Sequence, residues 1–177
     1  MSKVIHMTLS TDSINAAIKE LRDYQQWLVN KAEELRQRVG ELIRERAQQG
    51  FAGAIVDVLV DGSEISADAT IVSVQDIGNA TVVIAEGPDV TWVEFGTGVY
   101  FNGPAGGSPN PLVAENGLPY TIGGYGEGYG NRNAWGFNHP LAGFVITRGT
   151  PAEMPMYKAE MGVAMDIVNI AREVFSS

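Results

Sequence analysis

ATIVSVQDIGNATVVIA, residues 69–85, reads as two β-strands folded back on each other about Gly78 and Asn79. Valine, isoleucine and threonine are stiff at their first side-chain torsion and pack well on a pleated surface. A Gly-Asn pair supplies the backbone angles that a two-residue hairpin loop requires. Residues 55–60, IVDVLV, repeat the same period-two pattern and predict a further strand of one small antiparallel sheet.

Upstream the period changes. Ile14, Ile18, Leu21, Gln25, Leu28, Ala32, Leu35, Val39 and Leu42 alternate steps of four and three, a helical seam of about four heptads. Ser10, Thr11 or Asp12 can cap it, Arg44 and Arg46 suit its negative carboxyl end, and Gly50 is the expected stop. The seam is expected to lie on the sheet; with Gln25 in its middle it could also face another subunit. Gly40 weakens the helix by about 1 kcal/mol relative to alanine and marks a place for a bend.

Downstream, Pro151 and Pro155 introduce a second helix, in which Tyr157, Met161, Ala164, Val168, Ala171 and Phe175 recur at steps of three and four. That stripe, with Met154, Met156 and Met165, reads as core rather than as the adaptable binding surface that methionines can also form, and the helix is expected to pack on the sheet. Between sheet and helix, residues 96–146 hold most of the prolines and glycines and little periodicity. A loop of that length is functional or ordered by a partner, and its aromatics are too many for a solvated tether. The expectation is one α+β domain over residues 1–177, with the loop as its main contact surface.

Composition removes several function classes. A net charge of -9, from 21 acidic and 12 basic residues, offers no basic face for gripping nucleic acid, although an acidic wall lets DNA pass without adhering. With no cysteine there is no disulfide framework and no thiolate site. MSKVIHMTLS at the start lacks a sustained apolar run, which predicts neither signal peptide nor membrane anchor. Asp57, Asp61, Glu64, Asp68 and Asp76 read as a solvated face, without the loop spacing of a calcium site, so no metal is expected.

Enzyme chemistry finds no motif. GGYGEGYGNRNAWGF, residues 123–137, steps its glycines by two and matches neither the dinucleotide fingerprint nor a phosphate-binding loop. The histidines, His6 and His139, stand in no recognisable triad with Ser108 and Asp89, and Glu86, Glu94 and Glu115 form no evident carboxylate pair. The chain is expected to be non-enzymatic, with no cofactor.

WVEFGTG, residues 92–98, and TRGTPAEMPM, residues 147–156, followed by the final helix, resemble the tail-completion or head-tail joining (neck) proteins of tailed phages, the minor-tail Z-like kind among them. The resemblance spans roughly residues 32–175. Where many members carry P-V-D-T-G-x-L between helix and sheet, this chain reads GFAGAIVDVLV at residues 50–60. The resemblance implies a virion protein, assembled in the host cytoplasm as a ring at the neck or upper tail of a phage or phage-derived tail machine. Its implied partners are further copies, a connector or stopper, and a tail terminator or tube, with DNA passing through unbound and no membrane involved. Glu94, Phe95, Gly96, Thr97 and Gly98 would form a turn in which Glu94 accepts nearby backbone N–H groups, with Trp92 and Phe95 in the core. Tyr125, Tyr129, Trp135, Phe137 and Arg148 are the expected assembly contacts. An alternative is a small-ligand or glycan-binding module in which Tyr125, Tyr129 and Trp135 stack on sugar rings.

Overall fold

The computed structural model describes residues 8, 10–59, 62–67, 70–96, 111, 135–139 and 143–176. It is an α+β arrangement with a helix at each end of the described chain. Helix α1 spans Thr11–Phe51, 41 residues, so it is about 60 Å long at 1.5 Å per residue. Ser10 caps it: its hydroxyl accepts from the Ser13 N–H at 3.3 Å and its carbonyl from the Ile14 N–H at 3.0 Å.

The helix runs past both glycines that were expected to interrupt it. Gly50 lies inside it, and the left-handed residue beyond its end is Gly53, with φ of 80°. Close packing explains Gly50: a Cβ there would stand 2.7 Å from the Cβ of Pro155. Gly40 follows the same logic, since a Cβ would stand 2.6 Å from Thr81 Cγ2 and 3.3 Å from Val74 Cγ1. The last turn holds no basic residue. Arg44 instead pairs with Glu41 at 2.6 Å and Arg46 with Asp166 at 2.8 Å, and the helix ends at Phe51, one residue past Gly50.

The strands form three two-stranded antiparallel ladders where one sheet was expected. Strand β1, Ile55–Val58, pairs with β2, Glu64–Ser66, with a register shift between Ile55 and Asp57. Strands β3, Ile71–Ile77, and β4, Ala80–Glu86, pair residue for residue about the turn at Gly78, whose φ is 59°. After the six-residue helix α2, Val90–Phe95, the span expected to be a loop contains strand β5, Trp135–His139, and most of β6, Gly143–Thr147. A bridge between Leu59 and Thr147 joins the end of β1 to β6. Helix α3, Pro155–Ser176, closes the described chain.

Helix α3 runs back along α1: Pro155 meets Gly50 at one end, and Arg38 pairs with Glu173 at 2.7 Å toward the other. Ala47 and Phe51 of α1, Ala54, Val72 of β3, Val93 of α2 and Ala159 of α3 share one buried cluster. Val83 and Ala85 of β4 pack against it, so strands and both long helices meet there. The face of α3 turned inward carries Pro155, Ala159, Val163, Ile170 and Val174. The stripe of Met161, Val168 and Phe175 that was expected to be core is exposed, as is Met165. Small and branched residues let α3 approach α1 closely, and that contact decides the face.

At the far side of the β3–β4 hairpin, Asp76 accepts from the Thr81 hydroxyl at 2.6 Å and stands 3.3 Å from Arg36 of α1. The hydroxyl first, then the guanidinium, hold its carboxyl below the ordinary aspartate value. The hairpin is thus tied to α1 beside Gly40. Gly40→Leu should lower the free energy of unfolding by about 2 kcal/mol, because a buried contact between helix and hairpin would be overfilled. In Gly40→Ala the gain in helix propensity, about 1 kcal/mol, opposes the crowding of Thr81. Urea denaturation of both variants measures the difference; a leucine variant as stable as wild type would show that the hairpin yields freely.

Candidate assembly site

Residues 147–156 thread between β1 and α2 and are held on both sides. The Thr150 hydroxyl donates to the Val56 carbonyl, and the Gly149 N–H donates to the Thr147 hydroxyl at 2.9 Å. One oxygen of the Glu153 carboxylate accepts from the Ile55 N–H at 2.9 Å, while the Glu153 N–H donates to the Val93 carbonyl, also at 2.9 Å. A single residue therefore ties β1 to α2. Thr147 is fully buried and Thr150 is 3% exposed.

The start of α3 lacks a cap of its own. Pro155 suits the first helical position, where its missing N–H leaves nothing unpaired. Before it stands Met154, with a left-handed φ of 54°, whose carbonyl accepts from the Lys158 N–H at 2.9 Å. A methionine side chain is no acceptor for the next free N–H groups, as Ser, Thr, Asp or Asn would be. Glu94, 5% exposed, does this from α2: its two carboxylate oxygens accept from the Met156 N–H at 2.9 Å and the Tyr157 N–H at 3.1 Å. A negative group at that position also meets the positive end of the helix dipole.

Glu94 was expected to stabilise its own turn, and its bonds instead reach across more than sixty residues of chain. The glycine after α2, Gly96, takes a φ of 70° and ends that helix, while Thr97 and Gly98 lie outside the described residues. Val93 is fully buried, with Trp92 and Phe95 partly so. The sequence carried a signal for the long-range cap: a proline-marked helix start preceded by methionine, with no capping side chain.

Compared with known proteins, the chain matches no family model, no curated protein and no solved structure. Its surfaces must therefore speak for themselves. Of the expected contacts, Tyr125 and Tyr129 lie outside the described residues; Trp135 and Phe137 sit on β5, opposite Thr147 and Val145. Arg148 is exposed just after β6. On that hairpin Phe144 is 69% exposed and its ring lies across Gly136, and Ile146 is also open.

Larger apolar faces lie on the long helices, where the sequence had suggested core. Leu21 of α1 is 56% exposed and Met165 of α3 is 78% exposed. Between them, Trp27 stacks on Tyr24 with ring centroids 5.6 Å apart and meets Phe175 edge-on at 5.8 Å. Among the described residues, no three His, Asp or Glu converge on a common point, and no helix is long and apolar enough to cross a membrane. Of the residues weighed for hydrolysis, His6, Ser108 and Glu115 lie outside the described residues, and Asp89 precedes α2. A recess of about 270 Å³ between the end of α1 and the start of α3 is lined by Arg46, Gly50, Glu153, Pro155, Lys158 and Ala159. Arg46 and Glu153 are engaged with Asp166 and the Ile55 N–H.

Proposed function

We propose that the chain is a structural subunit of the neck or upper tail of a tailed phage or a phage-derived tail machine, assembling as a ring in tail completion or head-tail joining. The observation that carries this reading is the junction of the two segments on which the resemblance rests. The WVEFG stretch and the TRGTPAEMPM stretch are joined through Glu94, Glu153 and the Val93 carbonyl into one part-buried brace. The brace fixes α3 and the strands around it as a rigid body, which a ring component needs if each neighbour is to be met at the same angle.

The role is non-enzymatic. Further copies of the chain, a connector or stopper and a tail terminator or tube are its partners, and the virion is where it acts. The charge of -9 suits a lumen through which DNA moves, since like charge keeps phosphates from adhering.

Native mass measurement of the purified protein should give a closed oligomer, and particles made without the chain should accumulate as filled heads apart from tails. Adding the protein back should join them. Normal joining in its absence would overturn the reading. A monomer whose tryptophan fluorescence shifts on adding glycan would put a binding module in its place.

A further inference from the structure

Helix α3 is apolar on two opposite sides. At about 100° per residue, Met161, Met165 and Val168 point roughly 180° away from the buried Ala159, Val163 and Ile170. A helix apolar all round is ordinarily covered on both sides. Only the inner side has its cover within the described residues, in α1 and the core cluster.

Helix α1 shows the complementary condition along its length. From Val39 to Phe51 it faces the hairpin and the core, through Gly40, Ile43 and Ala47. Toward the amino end Ile14, Ile18, Leu21 and Leu28 line one side of the helix and are all exposed, with Ala17 at 7% the one buried residue among them, and residues 21–30 are exposed without exception. Because α3 has 22 residues and α1 has 41, the paired helices cannot be matched in length, and the amino-terminal part of α1 overhangs.

We infer that the overhanging seam of α1 in one subunit docks on the outer Met161–Met165–Val168 face of α3 in the next copy of this chain. The contact joins two different surfaces, which is the kind that closes into a ring, so the inference deepens the ring reading and rests on it for closure. Two quantities support a second copy as the occupant. Ile14, Ile18, Leu21 and Leu28 with Met161, Met165 and Val168 expose on the order of 600 Å² of apolar surface, the apolar share of an interface of about 1,100 Å², at the small end of the specific range. The charge of -9 is also kept away from them. Residues 11–31 balance Asp12, Glu20 and Asp23 against Lys19, Arg22 and Lys31, and α3 has only one acid in excess, Glu160, Asp166 and Glu173 against Lys158 and Arg172. Two copies that each carry -9 therefore repel least through these near-neutral faces.

The test uses sedimentation of the full chain with two variants, Ile18→Glu with Leu21→Glu, and Met165→Glu with Val168→Glu. Each should remain folded by circular dichroism and stay monomeric where wild type assembles, with self-association weakened by at least ~30-fold. Mixed in equal amounts they should form dimers, since each retains one intact face. A mixture that stays monomeric overturns the contact. So does a closed oligomer that survives both variants, although the ring reading would then stand. A wild-type chain monomeric at every concentration also overturns it, leaving the ring reading to the particle-joining experiment.

Cysteine pairs decide the point if a charged variant fails to fold. The chain has no cysteine, so Leu21→Cys mixed with Met165→Cys should give an oxidised cross-linked pair, and neither variant alone should. Cross-linking of Leu21→Cys with itself would assign the seam to a face-to-face contact between α1 helices and overturn the proposal.

Discussion

Glu94→Ala is expected to lower the free energy of unfolding by about 3 kcal/mol, a large share of a domain's total stability. The carboxylate is buried and takes both the Met156 and Tyr157 N–H groups, and Met154 has no side-chain oxygen to replace it. Removing it strands two donors at the start of α3, takes away a favourable charge at the helix dipole and leaves a small void. Glu94→Gln keeps one amide oxygen as acceptor, so its loss should be smaller, about 1 to 2 kcal/mol. Glu173→Ala is the control, since Glu173 makes an exposed ion pair with Arg38 and its loss should cost less than about 1 kcal/mol. Urea titration of the three variants ranks them. If Glu94→Ala stays within about 0.5 kcal/mol of wild type, the start of α3 does not depend on α2 and the brace is not a stabilising element.

Phe51→Ala should cost about 3 to 5 kcal/mol, while Leu21→Ala, on the same helix, should cost under about 0.5 kcal/mol in the isolated subunit. Phe51 is 3% exposed and packed with Ala47, Val72, Val93 and Ala159; Leu21 is 56% exposed. Thermal unfolding at a concentration low enough to keep the chain dissociated gives the comparison. The contrast reverses in assembly, where truncation of Leu21 should weaken self-association and Phe51, being internal, acts only through folding. Equal destabilisation by both substitutions would show that the amino-terminal seam is covered within the subunit.

Local physics was legible in the residues themselves. Ser10 before a period of alternating four and three dictates a capped helix, because its hydroxyl can reach a free N–H of the first turn, that of Ser13, and the seam gives one face to bury. Residues 71–86 dictate a hairpin, because β-branched side chains favour the pleat and Gly78 takes a positive φ without steric cost. These choices depend on neighbours within a few positions. The tertiary structure decided everything that depends on a surface from elsewhere in the chain. Gly40 and Gly50 look like helix breaks until Thr81 and Pro155 are brought against them. The methionine stripe of α3 obeys a helical period as well as the buried stripe does, and periodicity cannot rank two faces; the close fit of Ala159 and Val163 on α1 does so. Glu94 had capacity for two N–H groups in either case, but which ones it meets was set by the path of residues 147–156 between β1 and α2. A hydrogen-bonding side chain carries its chemistry in the sequence, and its partner is chosen only when packing brings a distant segment within 3 Å or so.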